Sequence, residues 1–195
     1  MGLDSVELLV AFERFFGLSV PDRVAEGLSQ VGKVAAYFTQ QLGCNSSPAR
    51  TNAHSLLLAQ VVQCITDENN PVSGASSLQA LWPMPNRRAI RQQLQTYTDL
   101  EVPDLSEPVA TQVKSWWHRV LHSTTVPARP HKHTDYTLDD LVDWLLSENY
   151  QQLLSEPTSL YEVQRVVVGI TADNCGIGVP KILLTDSFTM DLGIS

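Results

Sequence analysis

The chain has few of the residues that build covalent or metal-held frameworks. Its 195 residues include only three cysteines, Cys44, Cys64 and Cys175, which lie far apart and form no Cys-x-x-Cys pair. An odd, scattered set of this kind suggests no disulfide framework and fits a reducing cytoplasm. The stretch His131-Lys132-His133 lacks further ligands at metal spacing. We therefore expect a cytoplasmic protein without a structural metal.

Long apolar runs and basic patches are also missing. No apolar run approaches the length of a membrane span, and the first twenty residues carry Asp4, Glu7 and Glu13 without a basic start, which is unlike a signal peptide. Lys and Arg number 13 against 21 Asp and Glu, giving a net charge of -8. An acidic surface argues against nucleic acid and anionic membranes and favours protein partners with basic surfaces. No constellation of nucleophile, base or metal ligands is visible, so we expect no enzyme.

Apolar residues at helical spacing are abundant. Hydrophobic residues make up 43% of the chain and charged residues 17%, a globular composition. The clearest run, from Val6 to Phe16, ends at Gly17, and Thr137 with Asp140 predicts a helix N-cap. No strand-like alternation of convincing length occurs, so the prediction is an all-α fold. The predicted helices are 1–16, 31–42, 54–67, 89–97, 109–121, 138–154 and 160–173.

The two ends of the chain resemble two halves of one known domain. The C-terminus contains Phe188-Thr189-Met190-Asp191-Leu192-Gly193, and the N-terminus contains Leu3-Asp4-Ser5-Val6-Glu7-Leu8. Read in that order, they resemble the Phe-x-x-Asp-Leu-Gly loop and the opening of the second helix of acyl carrier proteins. Further matches are Phe16-Gly17-Leu18-Ser19-Val20-Pro21-Asp22 and Val31-Gly32-Lys33-Val34. The resemblance covers about eighty residues, nearly the whole carrier fold, in circularly permuted order.

This resemblance implies two small four-helix bundles. Residues 157–195 and 1–42 would form one carrier-like bundle, 43–53 a linker, and 54–154 a second, degenerate carrier-like bundle. The second bundle is inferred because Asp99-Leu100-Glu101-Val102-Pro103-Asp104 echoes Gly17-Leu18-Ser19-Val20-Pro21-Asp22 at the same distance after a helix. The terminal halves could close within one chain, exchange in a domain-swapped homodimer, or belong to a longer tandem array.

The resemblance also implies a site for 4'-phosphopantetheine, which carriers bear on a serine at the start of the second helix. Asp4-Ser5 resembles the Asp-Ser attachment signature. However, the family's serine lies four residues before the Val of Val-Glu-Leu, whereas Ser5 directly precedes Val6. Ungapped alignment places Gly2 at the attachment position, and Ser195, after Leu192-Gly193-Ile194, is the other candidate serine. In the middle block the same register gives Met84, near Arg87 and Arg88, so no modification is expected there.

Two functions therefore remain open. The first is an acyl-carrier-like protein of fatty-acid or polyketide-type metabolism, whose partners would be acyl-transfer enzymes and a phosphopantetheinyl transferase. The second is a carrier-shaped interaction module without a prosthetic arm. Glu7, Glu13 and Asp22 could form the acidic recognition face of a carrier or an ordinary solvated helix face.

Overall fold

The computed structural model describes residues 3–66, 72–83, 86–104 and 136–194. The all-α prediction is confirmed there: this part of the chain is helical and contains isolated β-bridges but no strand. The helices are α1 (Leu3–Phe16), α2 (Asp22–Ala25), α3 (Val31–Gln41), α4 (Asn52–Ile65), α5 (Leu78–Leu81), α6 (Arg87–Thr98), α7 (Leu138–Glu148), α8 (Tyr150–Leu153) and α9 (Leu160–Cys175), followed by a 3₁₀ turn, Val179–Lys181. The predicted helix 109–121 and the His131-Lys132-His133 stretch lie outside the described residues.

The helices α7 and α9 lie side by side in the middle of the described fold. On one side α9 packs against α1 and α3, and on the other side α7 packs against α4, which also contacts α6. The sequence of α7 explains its position, because its apolar residues form a wide stripe that covers about 200° of the helix circumference. Its buried residues are Leu138, Leu141, Val142, Trp144, Leu145, Leu146 and Ser147.

The apolar faces of helices 1–16 and 160–173 predict that these two helices pack together, within one chain or across a swapped pair. The packing is confirmed, since α1 contacts α9 within the chain. Leu8, Phe12 and Phe16 recur every four residues and are all buried. The Phe16 and Phe38 rings stack with centroids 4.4 Å apart. The finer predictions, namely two separate bundles, a permuted carrier order and exchange between chains, stay predictions.

The predicted continuous helix 138–154 is wrong at one residue. Asn149 interrupts it with φ -109° and ψ 30°, and separates α7 from α8. The Asn149 amide donates to the Leu145 and Glu101 carbonyls and accepts a hydrogen bond from the Glu101 backbone N–H. The two bonds to Glu101, in a distant segment, stabilise the interruption of the helix, because a buried side-chain amide needs hydrogen-bond partners.

Candidate functional site

The first turn of α1 contains the predicted attachment signature. The helix begins at Leu3, so Asp4 and Ser5 are its second and third residues. Asp4 is exposed and Ser5 is half-buried. Asp4 also lies close to the end of α9: burial raises the pKa of the Cys175 thiol, and the Asp4 carboxylate raises it further. The start of α1 and the end of α9 are therefore neighbours, although 170 residues separate Ser5 from Cys175.

The outer face of α1 combines apolar and charged side chains. Val6 and Val10 are 44% and 43% exposed, and Asp4, Glu7 and Arg14 are also exposed. Glu13 does not belong to this surface. Its Oε1 accepts a hydrogen bond of 2.6 Å from the Val20 backbone N–H and so ties the loop after α1 to the helix. We call Asp4, Val6, Glu7 and Val10 the α1 outer face.

The Phe-x-x-Asp-Leu-Gly segment forms a closed loop held by its own backbone. Asp191 Oδ2 accepts from the Ser187 N–H at 2.9 Å, and the Asp191 N–H donates back to the Ser187 carbonyl at 3.0 Å. Gly193 takes φ 72°, a left-handed conformation that favours glycine, and lets the chain turn so that Ile194 N–H reaches the Phe188 carbonyl. These residue types therefore shape the loop locally.

This loop is also docked on α1 and α3. The Phe188 and Phe12 ring centroids lie 6.4 Å apart, and Phe188 N–H donates to the Ser29 carbonyl. Gly32, at the start of α3, donates to the Leu184 carbonyl at 2.8 Å, and a Cβ on Gly32 would also lie 2.8 Å from that oxygen. The C-terminal segment thus approaches the first turn of α3 so closely that a side chain there would collide with it.

The structure describes few of the remaining predicted site residues. Gly2, Ser195 and Met84 lie outside the described residues. Arg87 Nε donates to the Trp82 carbonyl at 3.3 Å, and Arg91 Nε donates to the Val102 carbonyl at 2.9 Å. Both guanidiniums therefore bind backbone carbonyls of nearby segments. Within the described ranges no group of His, Cys, Asp and Glu could hold a metal ion.

A polar cluster at the meeting point of the linker, α4, α7 and α9 was not predicted. Arg50 bridges two carboxylates, with Nη1 2.9 Å from Asp139 Oδ2 and Nη2 3.1 Å from Asp143 Oδ2. The Tyr161 hydroxyl donates a hydrogen bond to Asp143 Oδ1. Burial, together with the Asp143 carboxylate, raises the pKa of Tyr161 well above its usual value. We call Arg50, His54, Asp139, Asp143 and Tyr161 the junction cluster.

His54 is the member of the junction cluster that lacks a partner for one ring nitrogen. The residue is only 3% exposed, and its Nε2 makes no hydrogen bond. That nitrogen lies 3.5 Å from Asp139 Oδ1 and 3.7 Å from Asp143 Oδ1. Asp139 and Asp143 are four residues apart in a predicted helix, so the sequence alone shows that they lie one helical turn apart. Arg50, His54 and Tyr161 come from distant segments and could be found only through the fold.

An acidic cleft of about 630 Å³ lies where the C-terminal ends of α6, α7 and α9 converge. Its charged lining consists of Asp99, Glu101, Glu148 and Asp173. Burial raises the pKa of Glu148, and the Glu101 and Asp173 carboxylates raise it further, against the opposing effect of Arg91. The Tyr150 hydroxyl donates to Asp173 Oδ2 at 3.1 Å, which partly offsets the clustered negative charge.

Comparisons with known proteins connect part of this chain to a carrier family. The chain is 42% identical over 43 residues to the acyl carrier protein of Picosynechococcus sp., a match that covers 22% of this chain and 53% of that protein. The chain thus spans about half the length of this relative. No protein-family model matches the chain, and no solved structure matches it. The similarity supports a carrier-like region. None of the helices in the described ranges combines the length and apolar character that a membrane crossing requires.

Proposed function

We propose that the chain is an acyl-carrier-like protein of fatty-acid or polyketide-type metabolism, with its carrier bundle assembled from residues 157–195 followed by 1–42. The packing of the Phe188 loop against α1 carries this proposal. Phe188 contacts Phe12 on the buried side of α1, opposite the α1 outer face. The similarity to an acyl carrier protein supports it independently.

The prosthetic arm would be 4'-phosphopantetheine on Ser5. When bound, this group supplies a thiol that holds an acyl chain as a thioester. Ser5 fits such a group in two respects: it is partly accessible, and it lies in the first turn of α1, where free backbone N–H groups and the helix dipole favour a negative phosphate. The register of the signature does not fit, because it places Gly2 at the attachment position.

The α1 outer face would supply the partner contacts of the carrier. Val6 and Val10 offer apolar area, and the neighbouring Asp4 and Glu7 offer negative charge to a basic enzyme surface. Acyl-transfer enzymes and a phosphopantetheinyl transferase are partners of this kind. The cytoplasm is the compartment proposed for them.

A second candidate function is a carrier-shaped interaction module without an arm. The register observation favours it, since a glycine at the attachment position offers no hydroxyl. The same α1 outer face would then bind proteins with basic surfaces without any acyl transfer.

Intact mass after co-expression with a broad-specificity phosphopantetheinyl transferase separates the two functions. A mass gain of one arm establishes the carrier. An unchanged mass, with a known carrier expressed alongside and fully modified, overturns the arm-bearing carrier and leaves the interaction module. Peptide mapping would then assign any added mass to Ser5 or to another serine.

A further inference from the structure

The helix α6 is a basic element of an acidic chain. Its residues include three arginines, Arg87, Arg88 and Arg91, and no Asp or Glu, whereas the whole chain has a net charge of -8. Arginines are favoured at the C-terminal end of a helix, where the helix dipole is negative. All three lie instead near the start of α6. Their positions therefore do not stabilise the helix itself, and they concentrate positive charge at one end of it.

Arg88 presents this charge to solvent. Arg87 and Arg91 each donate from Nε to a backbone carbonyl. In contrast, Arg88 is exposed, and within the described ranges it forms no ion pair. The start of α6 thus has one guanidinium without a described carboxylate partner, beside two that bind backbone carbonyls.

Along the rest of its exposed side α6 is uncharged. Five residues there line a shallow groove of about 540 Å³, namely Ala89, Gln92, Gln93, Thr96 and Tyr97. The Tyr97 side chain is 49% exposed. Arginine and tyrosine are enriched at protein interfaces, because both combine a large contact area with hydrogen-bonding groups. We call Arg88 and these five residues the α6 outer face, and its composition is typical of a surface that binds another protein.

The α1 outer face is complementary to the α6 outer face. It combines two exposed carboxylates, Asp4 and Glu7, with Val6 and Val10, which are 44% and 43% exposed. The carboxylates lie in the first two turns of α1, as Arg88 lies in the first turn of α6. If the two helices lie side by side in parallel, Glu7 therefore meets Arg88, and Val10 meets the uncharged groove.

The C-terminal halves of the two helices match in the same arrangement. Arg14 is exposed and follows Glu7 along α1, and Tyr97 follows Arg88 along α6. At a rise of about 1.5 Å per residue, these separations are about 10 Å and about 13 Å, a difference that the long arginine side chain can span. A guanidinium over the face of a tyrosine ring is stabilised by cation–π attraction. The parallel arrangement therefore gives each end of the contact a favourable pair.

We propose that the α6 outer face binds the α1 outer face of a second copy of the chain. Both faces are exposed in one chain, so neither covers the other, and the contact joins two molecules. A second copy is the occupant because it carries an acidic and apolar helical face of matching length at the same concentration as α6. Because the two faces differ, the assembly grows head to tail. The contact needs no prosthetic arm, so it does not rest on the proposed carrier function.

Sedimentation velocity over a range of protein concentrations, at about 0.15 M salt, measures this self-association in the full-length protein. We expect the weight-average sedimentation coefficient of the wild type to rise with concentration. Glu7→Arg and Arg88→Glu should each weaken the association about fivefold or more, because each places like charges opposite one another. An equimolar mixture of the two variants should associate again, because the new arginine of one variant then meets the new glutamate of the other.

Two charge reversals on α2 serve as matched controls. Glu26→Arg and Arg23→Glu change the net charge by the same amounts at exposed positions outside both faces, so they should associate like the wild type. A wild type that stays monomeric at every concentration would overturn the proposal. Controls that weaken the association as much as the test variants, or a mixture that stays dissociated, would overturn it as well.

Amide NMR spectra of the wild type provide a test that requires no variant to fold. On dilution, we expect the amide chemical shifts of both α1 and α6 to change while those of α7 stay constant. A change confined to one of the two outer faces would mean that this face binds its own copy in a two-fold contact, which contradicts the head-to-tail arrangement. A change in neither face would contradict the contact itself.

Discussion

Ser5 lies in the first turn of α1, beside the exposed Asp4 and one position before the exposed Val6. Two readings of this residue lead to different chemistry. The dipeptide Asp4-Ser5 favours attachment of an arm, whereas the Val6-Glu7-Leu8 register assigns Ser5 to an ordinary helical position. Register deserves more weight because it is supported by a longer run of residues than a dipeptide.

The two readings predict different outcomes for Ser5→Ala in an intact-mass assay. The substitution abolishes a mass gain of one arm if Ser5 carries the arm, and it is silent if the register leaves the wild type without one. The substitution should lower the free energy of unfolding by at most about 1 kcal/mol, the usual value of a serine at a helix start. Urea denaturation and mass spectrometry after transferase co-expression measure the two effects. Detection of an arm on Ser5 of the wild type, abolished in Ser5→Ala, would support the arm-bearing carrier, whereas an unmodified wild type would contradict it and leave the interaction module.

Gly169 is a second residue at which a single substitution should change stability, because neighbouring atoms leave no room for a side chain. It lies in the middle of α9, where a Cβ would collide with the Ser147 carbonyl oxygen and with Tyr150 Cδ1. The absence of a side chain lets α9 approach the end of α7 and the start of α8 closely.

Gly169→Ala should therefore destabilise the protein by about 1–3 kcal/mol, despite the better helix propensity of alanine, because the added methyl group overpacks a closed interface. The midpoint of urea denaturation measures the change. Gly178→Ala is the matched control, since its Cβ would meet only Pro180 Cδ at 3.9 Å. Similar midpoints for the two variants would show that α9 and α7 can separate without cost.

At the scale of elements, α1 depends on a partner from the other end of the chain. Its inward residues Leu8, Phe12 and Phe16 pack among α9, α3 and the Phe188 loop. An amphipathic helix of 14 residues is marginal alone in water, so most of its stability comes from this packing.

Deletion of residues 157–195 should consequently expose Leu8, Phe12 and Phe15. We expect the fragment 1–156 to aggregate or to lose its cooperative thermal transition, because three large apolar side chains would face water. Circular dichroism melts and analytical size exclusion provide the measurement. A monomeric fragment with a sharp melt and undiminished helicity would show that α1 does not need α9.

At the scale of the whole molecule, α9 and α7 connect the two blocks that the sequence suggests as separate bundles. The helix α9 contacts α1 and α3 of the terminal block and also α7 of the middle block. The linker 43–53 also pairs with the segment that leads into α9, since Asn45 N–H donates to the Thr158 carbonyl and Leu160 N–H donates to the Asn45 carbonyl. Two units that share this much contact are coupled energetically.

We predict one cooperative unfolding transition for the full chain. Separating the blocks would break the contact between α7 and α9, two helices whose buried residues include Leu145, Val166 and Val167. Differential scanning calorimetry tests this by comparing the calorimetric and van't Hoff enthalpies, which agree for a two-state transition. Two resolved transitions, or a calorimetric enthalpy well above the van't Hoff value, would favour independent bundles.

The sequence alone determined the longer helices of the described residues and several of their ends. Apolar spacing predicted α1, α3 and α9, and Gly17 and Gly176 end two of them with φ values of 65° and 63°. Thr137 and Asp140 form the predicted capping box at the start of α7. These features depend on residues within one or two helical turns of each other, so neighbouring residues in the sequence are enough to predict them.

Only the tertiary structure decided the junction cluster and the break at Asn149. Arg50 lies 89 residues before Asp139 and 93 before Asp143, and Asn149 bonds to Glu101, 48 residues away. The free energy of these contacts exists only after α4, α7 and α9 have packed, because a buried polar group is stabilised by whichever partners the fold brings within hydrogen-bond distance. No local pattern of residues in the sequence predicts these long-range contacts.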